Sequence, residues 1–423
     1  MIVGYILSRY PLLSETFILR EMWELERQGQ RLFVYPLRRV KGKRHLRVAQ
    51  LRAPVRWLPW LAWRAHGYWL RRRPWAYAGT LAAVLWRNRG DANLWLGALA
   101  YWGKAVSAAR QMQQDGVEHV HAHYATHPAL AAYIVQRLTG IPYSVTVHAH
   151  DIFCHRVMLA HKIRAARVVV AISQFNRILV ERVVPPPRPP VVVVHCGIEN
   201  KVYSRMAAGR VLAADAATWR RPERQREGAV PPLRILAVGS LEPYKGHRVL
   251  VEACAILRER GAVFVCRIVG GGQLMGRLRR QVRRLGLERH VWLEGAANEA
   301  EVIAVLQWAE VFAMPSIRAR SGKMEGLPVA LMEAMASGLP VVASRLSGIP
   351  ELVEHERNGL LVTPGDAAEL AAALWRLDDG PRRLRWGAHG RQKTLASFDL
   401  SVNAARLAEL WAPAPQGLGE AAA

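Results

Sequence analysis

Short apolar runs alternate along this chain with longer segments in which apolar side chains recur every third or fourth position. The runs read as strands buried on both faces, and the periodic segments as helices lying against them. In the first half, strands are expected over residues 2–7, 32–35, 117–121, 143–147, 168–171 and 191–195, with helices over 14–28, 128–138, 156–165 and 176–182. Gly29 and Gly140 stand where helix-ending glycines belong. The second half repeats the alternation, with strands over 233–238, 263–269, 291–293, 311–313, 341–343 and 360–362. Its helices are expected over 247–260, 275–285, 300–308, 329–336 and 367–377, and a last one over 400–410. This order predicts the α/β class: two Rossmann-like, doubly wound domains whose ligand lies outside the carboxyl ends of the strands.

Residues 199–232 break the pattern, being polar, arginine-rich and closed by Pro231 and Pro232, and read as a linker. The expected division is therefore an N-terminal domain over 1–198, a C-terminal domain over 233–397, and a helix and tail over 398–423. A chain of 423 residues, 51% of them hydrophobic, can fill two cores. Cys154, Cys196, Cys254 and Cys266 show neither disulfide nor metal spacing and read as thiols in a reducing cytosol. Residues 1–7 lack the basic start and cleavage site of a signal peptide, and no apolar window is long enough for a spanning helix.

Charge adds a feature the periodicity does not show. The net charge is +26, with a pI near 10.9. Between Arg38 and Gly90 there is no Asp or Glu, and the arginines and lysines are interleaved with Trp57, Trp60, Trp63, Trp69, Trp75 and Trp86. This basic, tryptophan-rich section, within residues 38–110, reads as a helical element for an anionic membrane surface. A solvated face over core tryptophans is the plain alternative. No helix-turn-helix, zinc-finger or RNA-binding signature supports nucleic acid as a partner.

The chemistry concentrates in residues 322–344, GKMEGLPVALMEAMASGLPVVAS. Glu325 lies in a loop and Glu333 in the body of the following helix, where Pro328 suits the first turn. The amides of Gly326, Leu327 and Val329 stand between them at the helix N-terminus, a ready anion site. Such a layout suits a phosphate flanked by hydroxyls. Residues 239–246, GSLEPYKG, follow a strand and open a helix, which places Lys245 to neutralise a diphosphate. Gly270, Gly271 and Gly272 permit close backbone approach, to a ligand or in a plain tight turn.

The stretch with paired glutamates, seven residues between them, resembles the signature of the retaining glycosyltransferases of family 4, which have the GT-B fold of two domains facing across a cleft. The residues YILSRYPLLSETFILR at 5–20 resemble its exopolysaccharide and colanic-acid branch. The resemblance implies a sugar transferase using a nucleotide-diphosphate donor and a saccharide or polyprenyl-linked acceptor, peripheral on the inner face of the cell membrane, with neither cofactor nor metal required. It assigns Glu325 to the donor sugar, Glu333 to the ribose, the intervening amides and Lys245 to the diphosphate, and His148 of the HAHD stretch to the sugar. Asp151 becomes a positioning candidate, and His123 of HAHYA, Ser14, Glu15 and Thr16 fall on the acceptor side. The chain departs from the pattern at Ser240, where the family carries an arginine, and at Gln273, where it carries an acid. Arg320, and after it Lys323, are expected to replace the missing cation. A sugar-nucleotide epimerase of the same fold and a non-catalytic sugar-nucleotide-binding or scaffold protein are the alternatives.

Overall fold

The computed structural model describes residues 1–11, 16–40, 46–90, 92–153, 156–203 and 231–412, with the backbone alone at 46, 47, 93, 94, 149 and 150. Ser14, Glu15, Cys154 and most of the linker fall outside these residues. The chain forms two compact units, residues 1–197 with 401–423, and residues 198–400.

The first unit holds a six-stranded parallel sheet of β1 (Ile2–Tyr10), β2 (Arg31–Arg39), β3 (His119–His123), β4 (Tyr143–Val147), β5 (Val168–Ala171) and β6 (Val191–Val193), in the order β2-β1-β3-β4-β5-β6. Alternation across β3 divides its residues between two cores. Val120 and Ala122 face one that includes Met112, Val135 and Trp69. His119, His121 and His123 lie on the other side, the last two against Tyr5 and the first two against Trp411. Strand β3 begins and ends two residues later than its apolar content suggests, because these histidines are buried by hydrogen bonds rather than by apolar character. The helix Leu400–Glu409 and Trp411 belong to this unit, with Ala404, Leu407 and Trp411 packed among Val3, Tyr5, Leu7 and Leu25.

The basic section forms the helices Trp63–Arg72, Pro74–Asn88 and Ala92–Gln114. Trp69 is not a surface residue: it is fully buried and donates from Nε1 to the Val106 carbonyl at 3.1 Å. Trp57, Trp60, Trp63, Trp75 and Trp86 are exposed, Trp75 to 88%.

The second unit holds β7 (Leu233–Val238), β8 (Phe264–Val269), β9 (Val291–Gly295), β10 (Val311–Met314), β11 (Val341–Ser344) and β12 (Gly359–Val362), all parallel, in the order β12-β11-β10-β7-β8-β9. Arg267 would be a misfit in the buried strand β8, but its guanidinium lies 4.9 Å from the Trp292 ring and 4.3 Å from that of Trp308. Cation–π contact offsets part of the desolvation. The order of this sheet reverses between β7 and β10, which is where a doubly wound sheet opens a crevice at its carboxyl end.

Candidate active site

The loops leaving β7 and β10 meet at that reversal. Gly246 ends the short turn Pro243–Lys245 with φ +71, and a side chain there would meet the Pro315 carbonyl at 1.7 Å. Only glycine allows both the left-handed backbone and this approach. The Ile317 amide donates to the Tyr244 carbonyl at 2.8 Å, locking the two loops together. Lys245 Nζ thereby lies 2.6 Å from Glu325 Oε2, the two side chains 13% and 12% exposed. Burial works against the lysine's charge, but Glu325, followed by Tyr244 and Glu242, holds its pKa above the ordinary value. Lys323 Nζ donates to Glu242 Oε2 at 2.6 Å and sits 4.5 Å from the Tyr244 ring centre, which Lys245 approaches at 5.3 Å. Two ammonium groups thus bracket one aromatic ring beside the glutamate.

Arg320 and Lys323, the two expected replacements for the missing cation, stand in different surroundings. The Ala319 amide donates to the Lys323 carbonyl and Gly322 to that of Ala319. The loop therefore doubles back, leaving Arg320 exposed at the tip and returning Lys323 to Tyr244. Ser240, half-buried in the loop after β7, lies beside the glycine run after β8. A side chain on Gly270 would meet the Gly239 carbonyl at 1.9 Å, and the Gly271 carbonyl accepts from the Leu241 amide at 2.9 Å. The close approach these glycines permit is thus to the protein's own loop, with Gly271 engaged in it.

The helix Val329–Ala336 begins behind Pro328, whose extended ψ of 116 places it before the first turn rather than within it. Gly326 and Leu327 are buried on the approach, and the first amides from Val329 onward face the open end of the helix. Ser347 Oγ donates to the carbonyls of Glu325 and Gly326, fixing this turn. Glu333, one turn in, is buried, and its Oε1 accepts from the Tyr203 hydroxyl at 2.9 Å. Tyr203 closes the helix Asn200–Tyr203. Its segment reads as linker in the sequence, so nothing there marks it as a partner of Glu333.

In the first unit the polar centre is a row of histidines. His121 is fully buried, with Nδ1 2.7 Å from Ser144 Oγ and Nε2 3.0 Å from Thr146 Oγ1. Burial foremost, then the neighbouring histidines, hold it well below the ordinary imidazole range. His123 Nε2 lies 2.9 Å from Glu21 Oε1, and its Nδ1 3.2 Å from His148 Nε2. Both nitrogens of His123, expected on the acceptor side, are thus engaged, and its side chain is buried. Thr16 opens the helix Thr16–Arg27, which carries Glu21 to this centre. His148 follows β4, in contact with Tyr124 and Phe17 at ring separations of 4.5 and 5.2 Å. Burial, then His123, lowers its pKa.

Asp151, expected on the acceptor side, is engaged by the protein's own backbone. It is buried in the short helix Ala149–Phe153, and its two oxygens accept from the backbone amides of Ala125, at 2.5 Å, and His148, at 2.9 Å. It clasps the ends of β3 and β4. Burial pushes its pKa up to about 7, against those hydrogen bonds and the charge of Lys162. Among the described residues, Glu21, His121 and His123 offer ligand atoms within 4.8 Å of one another. The hydrogen bonds above already engage both nitrogens of each histidine. Glu21, Tyr203 and Tyr244 are the participants that sequence reasoning missed; Glu21 sits one turn beyond SETFI, close to residues the motif did mark.

Comparison with known proteins finds similar sequences and a similar fold. Residues 220–393 match the model of the glycosyl transferases group 1 family. Over 155 residues the chain is 48% identical to the amylovoran biosynthesis glycosyltransferase AmsK of Erwinia amylovora, covering 37% of this chain and 38% of that protein. Over 143 residues it is 48% identical to the putative colanic acid biosynthesis glycosyltransferase WcaL of Escherichia coli K12, covering 34% and 35%. The matches thus span little more than a third of these relatives. The crystal structure of Anabaena HepE in complex with UDP superposes with a TM-score of 0.69 at 17% identity, covering 96% of this chain and 98% of that one. Two six-stranded parallel sheets and the structural likeness give the chain the GT-B fold, and its segment 220–393 matches the model of the glycosyl transferases group 1 family.

Proposed function

We propose that this protein is a retaining glycosyltransferase that moves a sugar from a nucleotide-diphosphate donor to a saccharide, lipid-linked acceptor in cell-surface polysaccharide synthesis. The observation that carries the reading is the Lys245–Glu325 pair at 2.6 Å, set where the sheet order reverses and beside an open helix N-terminus. An ammonium and free amides stabilise a departing diphosphate, and a carboxylate can hold sugar hydroxyls. Transfer then depends on orientation and on charge stabilisation along the leaving group, with front-face departure retaining the anomeric configuration. The names of the two relatives support surface polysaccharide as the pathway.

Thermal-shift screening of UDP, GDP and ADP sugars, followed by product analysis with and without saccharide acceptors, tests this. A cognate donor at a hundred times its dissociation constant should stabilise by about 2.7 kcal/mol. Epimerised sugar nucleotide formed without acceptor would replace the reading with an epimerase, and the absence of any stabilising donor would overturn it. The two glutamates should separate by role. Glu333→Ala is expected to weaken nucleoside diphosphate binding more than tenfold, the worth of one or two charged hydrogen bonds of about 1.5–3 kcal/mol. Glu325→Ala should leave that affinity within about threefold and lower turnover instead. Unchanged calorimetric affinity in the Glu333 variant would remove the ribose assignment.

The proposal extends to an anionic membrane surface on the cytoplasmic side. No helix among the described residues is long and apolar enough to cross a membrane. Five exposed tryptophans, with exposed Leu61, Leu70, Leu96 and Leu99, share residues 57–99 with Arg64, Arg71, Arg72 and Arg73. Each cation contributes about 1 kcal/mol near an anionic bilayer, less as salt rises. Sedimentation with phosphatidylglycerol vesicles should show binding that phosphatidylcholine vesicles and high salt abolish. Equal binding to both would refute the electrostatic part.

A further inference from the structure

We propose that Glu21, acting through His123, fixes His148 in the tautomer that carries its proton on Nε2 and presents a bare Nδ1, so that His148 meets a hydroxyl of the substrate rather than a phosphate. The hydrogen bonds give the direction. A carboxylate oxygen can only accept, and Glu21 Oε1 lies 2.9 Å from both the Tyr5 hydroxyl and His123 Nε2. Tyr5 therefore donates, and so does His123 Nε2. In the neutral imidazole that proton is the only one, so His123 Nδ1 accepts, and the atom 3.2 Å away, His148 Nε2, donates. The remaining His148 nitrogen, Nδ1, then carries a lone pair and has no partner among the described residues.

The surroundings hold the chain of bonds in place. His123 stacks on Tyr5 at a ring separation of 5.8 Å, His121 crosses it edge-on at 4.9 Å, and Phe17 and Tyr124 flank the His148 ring. Asp151 fixes the His148 backbone through its amide. Burial also disfavours a second proton on His148. A bare ring nitrogen accepts from an O–H and repels phosphate oxygens, which are themselves acceptors. Glu21 is thus a positioning residue: a sugar hydroxyl, of donor or acceptor, is the group selected at His148. This reading of the substrate group rests on the proposed transferase function; the tautomer does not.

The test is long-range proton–nitrogen NMR of the full chain labelled with nitrogen-15 histidine, with His123→Gln and His148→Gln spectra assigning the signals. Both His123 and His148 should show a protonated Nε2 and a bare Nδ1 in the wild-type protein without substrate. Glu21→Gln, which keeps a carbonyl acceptor, should retain the pattern, whereas Glu21→Leu should mix the tautomers. With the donor found by screening, Glu21→Leu should lower kcat by roughly tenfold with donor KM unchanged, and Glu21→Gln should restore most of it. A proton on Nδ1 of wild-type His148, or loss of the pattern in folded Glu21→Gln as in Glu21→Leu, overturns the proposal. The spectra need no substrate, so failure of the transferase reading leaves the tautomer result standing, and a wrong tautomer leaves that reading untouched.

Discussion

Lys245→Ala is expected to lower turnover at saturating donor by about two to three orders of magnitude, the usual consequence of removing a preorganised group from developing negative charge. The diphosphate gains charge as the glycosidic bond breaks, and among the described cations of this loop Lys245 is the one paired with Glu325. Removing it also leaves Glu325, 12% exposed, without its counter-charge. Lys245→Met, which keeps the packing, should therefore be measured beside it together with the melting temperature of each variant. Lys323→Ala should cost less, about tenfold, because Lys323 reaches the site through Tyr244 and is held by Glu242. Arg320→Ala should stay near wild type, since the loop tip carries Arg320 into solvent. Turnover of Lys245→Ala within about threefold of wild type would end the assignment of the leaving-group site.

The second large effect is acid sensitivity. His121 and His148 are held well below the ordinary imidazole value by burial first, and His119 is pushed down to about 3 by burial and by Arg167. Each is neutral when folded and takes up a proton when unfolded below a pH of about 6.5. Their stabilisation is therefore present above that value and is lost as pH falls. Asp151 works in the opposite sense. Its raised value, about 7, lets the folded state bind a proton that the unfolded state releases above about 4, so its contribution shrinks as pH rises between those limits. Three protons against one leave a net uptake of about two on unfolding. The first unit should then lose roughly 3 kcal/mol per pH unit once pH is well below 6.5. Falling from pH 6.5 to 5 removes about 3 kcal/mol, a large share of an ordinary stability of 5–15 kcal/mol. Urea unfolding at several pH values measures the slope, and His119→Gln should reduce it by about one proton. A slope of zero across that range would contradict neutral buried histidines.

The strand Val168–Ala171, three valines and an alanine, is legible because burial on both faces leaves a continuous apolar signal. The stretch His119–His123 was misread at its ends because its polarity is cancelled by residues far off in sequence: Ser144, Thr146 and Trp411. No periodicity encodes such pairing. The same limit governs the candidate site. Spacing and glycines pointed to Lys245, Glu325 and Glu333, whose neighbourhoods are local. The bonds that join Lys245 to Glu325, Glu333 to Tyr203 and Glu21 to His123 cross 80, 130 and 102 positions. They depend on the order of strands in each sheet, which one sequence does not spell out.

The first unit is built from two separated pieces of chain, and this governs how it comes into being on the ribosome. Trp411, fully buried, donates from Nε1 to Ser144 Oγ at 3.1 Å, and Arg167 donates to the Trp411 carbonyl at 3.3 Å. Its neighbours Ala404 and Leu407 cover the Val3, Tyr5 and Leu7 face of β1. That face must wait while the 203 residues from 198 to 400 are made, roughly ten to forty seconds at ordinary elongation rates. The intervening unit closes on itself as its last residues emerge: the Ile198 amide donates to the Phe398 carbonyl at 2.9 Å, and Leu400 returns a bond to Ile198 at 3.1 Å. Vectorial synthesis therefore inverts the order of maturation. The unit whose translation starts first is the last to close, and through that interval the histidine row lies open to whatever nascent-chain binding factors the cell supplies.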